Sequence, residues 1–442
     1  MLFAALFFFS VGKGIAASND TISISLEEAI EIGLTESPTI KVAEQQITLK
    51  KHARAEIVGG LIPEISLSGS YSRAIKKQTM AMKLGEEVNT IKVGMDNTIN
   101  GALVVNLPLF APSLYRAMSI GKEDINLALE QSRASRIDLV AEIKKAYLQV
   151  LLAQDSHAVL HKSYNQAVSN FNVIKTKYDQ GVVSEYDKIR ADVQVRNLSP
   201  GLVAAENAVR LSVMQLRVLM GVADETPIKA KGNLSDYESD LATDTFNKIF
   251  HNRNIDLRGN SDIKQVLINE SLLQKNIKLE RTNYMPSITA NFDYNYLSMN
   301  DDFRIAHYRW YPSSSLGLTL SVPIFKASTL SKVKQAKVQA AQLQYTKINL
   351  ERQLNMQANS FLDNMEASIK QIDSNTEGVK EAIKGREIAR KRFDVGKGTL
   401  LELNDAEVAL TQAELAYNQA IYDYVVAKAE YERIIGLEHA RN

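Results

Sequence analysis

Four segments of the chain alternate between apolar and polar residues, which is the pattern of β-strands with one apolar face. In the first of them Ile65, Leu67 and Tyr71 alternate with serines. The other three segments show the same alternation, although Val104 blurs the polar side of the second one. We predict strands at about 62–72, 99–110, 286–297 and 314–325, with a loop at 72–100 joining the first two.

The predicted strands are about ten residues long, which is the length of a tilted transmembrane strand. A half-buried sheet of a soluble protein shows the same alternation, so the pattern alone leaves both interpretations open. Four strands do not close a barrel with a lumen, and open sheet edges are not tolerated in lipid. If the strands span a membrane, several copies must share one barrel, and three copies would supply twelve strands.

Long stretches between the strands have the periodicity of helices. Apolar residues recur at three- and four-residue steps, as at Ile137, Val140 and Ile143. Between Pro112 and Gly181 there is no proline and only one glycine. A continuous helix of this length would extend for ~100 Å at 1.5 Å per residue. Taken alone, such a segment is typical of a structural coiled coil.

The chain contains two copies of one sequence repeat. Three pairs of landmarks share an offset of 215 residues: Pro108 with Pro323, Gly181 with Gly396, and Gly221 with Gly436. Each copy follows the order helix, strand, loop, strand, long helix, glycine turn, helix. We predict a first repeat at 19–221, a linker or equatorial segment at 222–260 and a second repeat at 261–442, with turns near 181 and 396.

The N-terminus has the features of a signal peptide. Leu2 to Val11 form an apolar run too short to span a bilayer, and small residues follow it. We therefore predict a signal peptide at 1–18 and export from the cytoplasm.

The composition excludes several classes of function. The 52 basic and 51 acidic residues nearly balance, so no strong field favours nucleic acid. The absence of cysteine excludes disulfides, thiolate nucleophiles and Cys-ligated zinc. His157 and His161 are four residues apart, but no third metal ligand accompanies them. We expect no enzymatic activity, no cofactor and no metal site.

Each glycine turn is followed by a pattern that restarts a helix. Ser184 precedes Asp187 by three residues, and Thr399 precedes Glu402 by three residues. Both pairs have the spacing of a capping box, with aspartate in place of the usual Glu or Gln in the first. Asp405 is different, because capping does not require it.

These features, in this order, resemble the TolC family of outer-membrane efflux and secretion ducts. The resemblance extends from about Ile22 to Glu438 and rests on the "LIPEISLSGSY" strand, "NLPLF", "SVPIF" and both glycine turns. It implies a mixed membrane α/β fold. In this fold a homotrimer forms a 12-stranded outer-membrane β-barrel that continues into a long periplasmic α-helical barrel.

The resemblance also implies a function. The protein would be a passive exit duct for efflux or type I secretion in the outer membrane of a Gram-negative bacterium. It would work with a periplasmic adaptor and an energised inner-membrane pump of the RND, ABC or MFS type. Outer-membrane lipid would surround the trimer, and nucleic acid would play no part. The alternative is a soluble periplasmic coiled-coil scaffold or adaptor, which does not explain a strand pair inside each repeat.

In the family the two glycine turns form periplasmic tips where the adaptor docks, and acids near the second tip line the narrow entrance. The matching docking residues here are Gly181, Val182, Val395, Gly396 and Lys397. The matching aperture residues are Asp405 and Glu402, and we include Asp187, the first-repeat counterpart of Glu402, as a third candidate. The family closes the entrance with a tyrosine and an arginine beside the second tip, but this chain has Phe393 and Gly398 there. The resemblance therefore predicts that this lock is absent or replaced.

Overall fold

The computed structural model describes residues 22–84, 87–222, 228–242 and 255–438. The predicted signal peptide lies outside these ranges, as do parts of the predicted linker. The described residues belong to two compact units. The first consists of the described residues of Met1–Lys41, Ser135–Asn260 and Gln353–Asn442, and the second of those of Val42–Ala134 and Ser261–Arg352. Each unit therefore takes residues from both sequence repeats.

The helices of the two repeats match in length. In the described part of the chain the α-helices are α1 (Leu26–Glu36), α2 (Pro38–Gly59), α3 (Pro112–Asp179), α4 (Glu185–Met220), α5 (Ser261–Arg281), α6 (Ala327–Asp394) and α7 (Leu400–Ile435). Helices α3 and α6 each have 68 residues, and α4 and α7 each have 36. Within the described ranges, no helix has the length and apolar character needed to cross a membrane.

The second unit contains a four-stranded antiparallel sheet in the order β2-β5-β7-β8. Its strands are β2 (Glu64–Arg73), β5 (Asn97–Phe110), β7 (Ser287–Asn300) and β8 (Trp310–Ser321). The two strands of each repeat pair with each other, and the β5–β7 pair joins the two repeats into one sheet. The last strand lies earlier than the expected 314–325. Its pairing ends at Ser321 because the partner strand begins at Ser287, directly after Pro286.

The segment expected to be a loop at 72–100 contains a β-hairpin instead. Its strands are β3 (Gln78–Leu84) and β4 (Glu87–Val93), which form a separate two-stranded sheet. The Lys77 ammonium at the base of the hairpin lies 3.2 Å from the Asp96 carboxylate and 2.7 Å from that of Asp301. The base of the hairpin is therefore tied to the loop between β7 and β8.

The first unit contains a parallel pair of short strands, β1 (Ile22–Ile24) and β6 (Ile228–Ala230). Tyr147 of α3 is buried beneath them, and its hydroxyl lies 3.0 Å from the Ile24 carbonyl oxygen and 2.7 Å from that of Lys231. Burial raises the pKa of the Tyr147 phenol, which favours the protonated form, and the single hydroxyl proton is shared between these two carbonyl oxygens. This residue joins the N-terminal and linker segments to the long helix.

Candidate functional site

The two long hairpins of the first unit end in turns of identical geometry. Gly181 and Gly396 both have φ of 73°, a conformation that glycine adopts without strain. At the first turn the N–H of Gly181 donates to the Tyr178 carbonyl oxygen at 2.8 Å, and the N–H of Val182 donates to that of Lys177 at 2.9 Å. This pair of bonds is a Schellman motif, which satisfies the last carbonyls of α3.

The second turn repeats this pattern. The N–H of Gly396 donates to the Phe393 carbonyl oxygen at 3.1 Å, and the N–H of Lys397 donates to that of Arg392 at 2.8 Å. The 215-residue repeat in the sequence therefore corresponds to a repeated backbone geometry.

Both acids that follow the turns serve as helix caps. The N–H of Asp187 donates to Ser184 Oγ at 3.2 Å, and the Asp187 carboxylate accepts the Ser184 backbone N–H in return. Thr399 and Glu402 make the same reciprocal pair, with the N–H of Glu402 donating to Thr399 Oγ1 at 3.2 Å. Both capping boxes are therefore complete at the starts of α4 and α7.

Asp405 has a different environment from the two capping acids. It is exposed in the second turn of α7, and none of the described residues forms a hydrogen bond or an ion pair with its carboxylate. Glu402, by contrast, also lies 3.7 Å from the Arg392 guanidinium. Of the three predicted aperture residues, only Asp405 has a carboxylate that takes no part in helix capping or in an ion pair with the described residues.

The two tips pack against each other through apolar side chains. Ile174, Ala191 and Leu400 are buried, and three partly buried residues pack around them. We call the six residues the tip cluster: Phe171, Ile174, Val183, Ala191, Phe393 and Leu400. Both repeats contribute to this cluster, so it connects the two hairpins.

The resemblance places Phe393 and Gly398 at the positions of the family's polar lock, and neither residue carries a polar side chain. Phe393 packs in the tip cluster, and the Lys177 ammonium lies 5.0 Å from the centre of its ring. A Cβ atom added at Gly398 would lie 3.0 Å from Arg392 Cβ and 3.1 Å from the Phe393 backbone nitrogen. The turn therefore leaves little room for a side chain at this position.

The predicted docking residues form the surface of the tips. Val182 is 69% exposed and Val395 is 68% exposed. Lys397 is also exposed. Each tip therefore presents a valine next to its turn glycine.

Sequence reasoning did not identify most of the tip cluster. The apolar spacing along the predicted helix, as at Ile137, Val140 and Ile143, indicated a buried face, but it named neither the tip residues nor the partner of that face. Within the described ranges, no group of three or more His, Asp or Glu side chains is arranged to hold a metal ion. The arrangement at the tips is suited to contact between helices.

The paired strands and the two matched helix hairpins define a channel protein of the outer-membrane efflux type. A family model described as "Outer membrane efflux protein" matches residues 29–222 and 255–437. The chain therefore belongs to the outer membrane efflux protein family. This confirms the predicted family and the predicted location in the outer membrane, and it does not favour the soluble scaffold. The family consists of transport channels rather than enzymes.

Individual relatives agree with this assignment. The outer membrane protein TolC of Vibrio cholerae is 22% identical over 378 residues, which are 85% of this chain and 82% of that protein. The alkaline protease secretion protein AprF of Pseudomonas aeruginosa is 20% identical over 424 residues, 95% of this chain and 85% of that protein. The crystal structure of the Campylobacter jejuni CmeC outer membrane channel superposes with a TM-score of 0.71 at 17% identity. The superposition covers 93% of this chain and 85% of CmeC, and it shows that the two share a fold.

Proposed function

We propose that three copies of the chain form one passive exit duct. The observation that carries this proposal is the four-stranded sheet, in which β2 and β8 are edge strands. Unpaired strand edges are not tolerated in lipid, so each edge needs a partner strand from another copy. Three copies would supply the twelve strands of a closed barrel, and their long hairpins would continue the wall into the periplasm.

The apolar face of the sheet supports a position in lipid. Leu316, Leu318 and Leu320 lie on one face of β8 and are 81%, 72% and 62% exposed. The opposite face of this strand carries Gly317 and Thr319. In the proposed barrel the leucines face lipid and the small or polar residues face the lumen.

Arginine substitutions at two neighbouring positions of β8 test this arrangement. Leu318→Arg is expected to cost about 2–4 kcal/mol if the position is near the bilayer midplane, and to reduce the amount of trimer in outer-membrane fractions. Thr319→Arg, one residue further along the same strand, is expected to leave the trimer intact. The measurement is the yield of heat-modifiable trimers on gels. Equal yields from the two variants, or a soluble monomeric wild type, would rule out the proposed barrel.

We also propose that the tips dock a periplasmic adaptor, through which an inner-membrane pump supplies the energy. AprF is named as a secretion protein and the family is named for efflux, so cargo transport of either kind fits the duct. The exposed valines at the tips are the surface that supports this proposal.

Cross-linking in cells tests the docking surface. A photoreactive amino acid in place of Val182 or Lys397 is expected to capture one periplasmic protein with a long helical hairpin. The same probe in place of Lys380, which is exposed on α6 away from the turn, serves as the control. Capture of the same protein from all three positions would show that the tips are not a specific docking surface.

A further inference from the structure

The apolar face of β8 continues across all four strands of the sheet. The row of paired residues that begins at Leu316 of β8 passes through β7 and β5 to Ile65 of β2. Directly paired residues lie on one face of a sheet, and so do alternate residues of a strand. Tyr71 and Arg73 follow Ile65 by six and eight residues, so both lie on the face that we place in lipid.

Aromatic side chains lie at one end of this face. The Tyr296 ring centre is 6.0 Å from that of Tyr294 and 5.8 Å from that of Trp310. Tyr71 lies in the same row of paired residues as Trp310. The long helices α3 and α6 follow the opposite ends of β5 and β8. Aromatic girdles mark the interfaces of transmembrane barrels, so we expect this end of the sheet at the extracellular surface.

Arg73 is the last residue of β2, and the loop between β7 and β8 packs against it. The Arg73 guanidinium carbon lies 5.0 Å from the centre of the Phe303 ring. The loop is held in place by the fully buried Asn97, whose Nδ2 donates to the Asp302 carbonyl oxygen at 3.2 Å. Arg304 follows Phe303 directly. The loop therefore places a second arginine beside the ring on which Arg73 stacks.

Three exposed cations at this end of the sheet have no acidic partner within the described ranges, and we call them the basic corner: Arg73, Lys76 and Arg304. The two acids of the loop are already engaged. The Asp301 carboxylate accepts the Lys77 ammonium at 2.7 Å and the Asp96 N–H at 2.8 Å. The Asp302 carboxylate accepts the backbone N–H of Arg304 at 3.1 Å. The corner thus keeps an excess of positive charge that suits an anionic ligand.

We propose that the basic corner binds the phosphate groups of the glycolipid in the outer leaflet of the outer membrane. The inference rests on the proposed barrel. A phosphate carried by a lipid fits better than a soluble anion, because Arg73 lies on the lipid-facing side directly beyond Tyr71. Phe303, which is 61% exposed, adds an apolar surface beside the arginine. Guanidinium groups bind phosphate through two parallel hydrogen bonds, and the acyl chains then lie along the apolar face of the sheet.

The position of the basic corner gives the lipid a role in assembly. Arg73 belongs to β2, which is an edge strand of the sheet. In the proposed barrel β2 pairs with β8 of the next copy, so the corner lies at the boundary between two copies. A glycolipid bound there contacts both copies, and binding to the assembled state stabilises the trimer against dissociation.

Binding to purified trimers tests the phosphate contact. The probe is purified lipopolysaccharide, which is added at increasing concentration to trimers freed of it in detergent, and the amount bound per trimer is measured. Arg73→Gln/Arg304→Gln is expected to bind it at least about tenfold more weakly, because each lost guanidinium removes charge-assisted hydrogen bonds. Arg309→Gln is the control and should bind like wild type. It removes an exposed cation that precedes Trp310 by one residue and so lies on the other face. Equal affinity of wild type and the double variant would overturn the proposal.

Two further probes identify the group that is bound. Lipopolysaccharide from which the lipid A phosphates have been removed keeps its acyl chains, and it is expected to bind wild type and the double variant equally weakly. If wild type binds this form as tightly as the phosphorylated one, the phosphate contact is wrong. Inorganic phosphate is expected not to displace the lipopolysaccharide. Complete displacement would indicate a site for a soluble anion and would contradict the lipid assignment.

The dissociation temperature of trimers on gels separates the basic corner from the barrel itself. If the proposed barrel is wrong, wild-type protein gives no heat-modifiable trimers in outer-membrane fractions. If only the corner is wrong, wild-type trimers form, and added lipopolysaccharide raises the dissociation temperature of wild type and of Arg73→Gln/Arg304→Gln equally. If both proposals are right, the temperature rises in wild type and in Arg309→Gln, and the double variant loses most of this rise.

Discussion

Gly436→Ala is expected to abolish trimers in the outer membrane, whereas Gly396→Ala is expected to leave most of them intact. Both glycines have φ of 73°, so an alanine at either position adopts a left-handed conformation that costs about 1–2 kcal/mol. The positions differ in the space around them. A Cβ atom at Gly396 would meet nothing within 4 Å. At Gly436 it would overlap the carbonyl group of Gly259 and lie 2.9 Å from the Asn260 nitrogen.

The segment that Gly436→Ala would displace is fixed by its own contacts. Asn260 is buried, and its Nδ2 donates to the Ile434 carbonyl oxygen at 2.7 Å. Because backbone atoms rather than a flexible side chain must move, the total cost is about 2–5 kcal/mol. Trimer yield and the temperature at which trimers dissociate on gels measure the effect.

The first repeat supplies a matched control for this comparison. Gly221 has φ of 71°, and a Cβ atom there would lie 2.7 Å from the Glu36 carbonyl oxygen, whereas the space around Gly181 is open. Gly221→Ala should therefore resemble Gly436→Ala, and Gly181→Ala should resemble Gly396→Ala. If all four variants dissociate at the same temperature, the backbone conformation alone decides stability and the close packing at Gly436 has no effect.

Features with a local cause could be predicted from the sequence. The spacing of Ser184 with Asp187 and of Thr399 with Glu402 predicted capping boxes, and both are present because each needs only neighbouring residues. The absence of proline between 112 and 181 predicted a long helix, and α3 is 68 residues long. Strand alternation indicated which residues share a face, and the sheet pairs such residues across both repeats.

Features that depend on distant partners could not be predicted in this way. The tip cluster joins Ile174 to Leu400, and Arg390 donates a hydrogen bond to Asn170, each across more than 200 residues of sequence. Periodicity shows that a helix face is apolar or polar, but it contains no information about which helix covers that face. The hairpin at β3 and β4 was missed for a related reason, because its cross-strand pairs mix polar and apolar residues, as in Gln78 with Val93.

Asp405→Asn is expected to weaken the block of the duct by multivalent cations at least about tenfold, which corresponds to ~1.4 kcal/mol. In the proposed trimer three Asp405 carboxylates would form a ring at the narrow entrance, and such a ring favours cations. Because none of the described residues pairs with Asp405, its charge is available to ions in the entrance. Single-channel recordings in planar bilayers, with and without a trivalent cation, measure both conductance and block.

Glu402 requires two variants, because its carboxylate has two roles in this proposal. Glu402→Gln removes the charge, and its amide oxygen can still accept the Thr399 N–H of the capping box. Glu402→Ala removes both the charge and the cap, which costs about 0.5–2 kcal/mol of helix stability. If Glu402 contributes to the aperture, the Gln variant weakens cation block while trimers keep their thermal stability. If it is only a cap, the Gln variant blocks like wild type and only the Ala variant dissociates at a lower temperature.

Asp187, the corresponding acid of the first repeat, is the control. It separates the effect of removing a charge at any tip from the effect of removing it at the second tip. Asp187 caps α4 as Glu402 caps α7, and Asp187→Asn keeps an oxygen that can accept the Ser184 N–H. A weaker block in Asp405→Asn and not in Asp187→Asn would place the constriction on the second-repeat hairpin. Equal weakening in both would mean that the hairpins of both repeats line the entrance. If conductance and cation block are unchanged in Asp405→Asn, Asp405 does not form the constriction. Its carboxylate has no second role, such as helix capping, that could mask the loss of its charge.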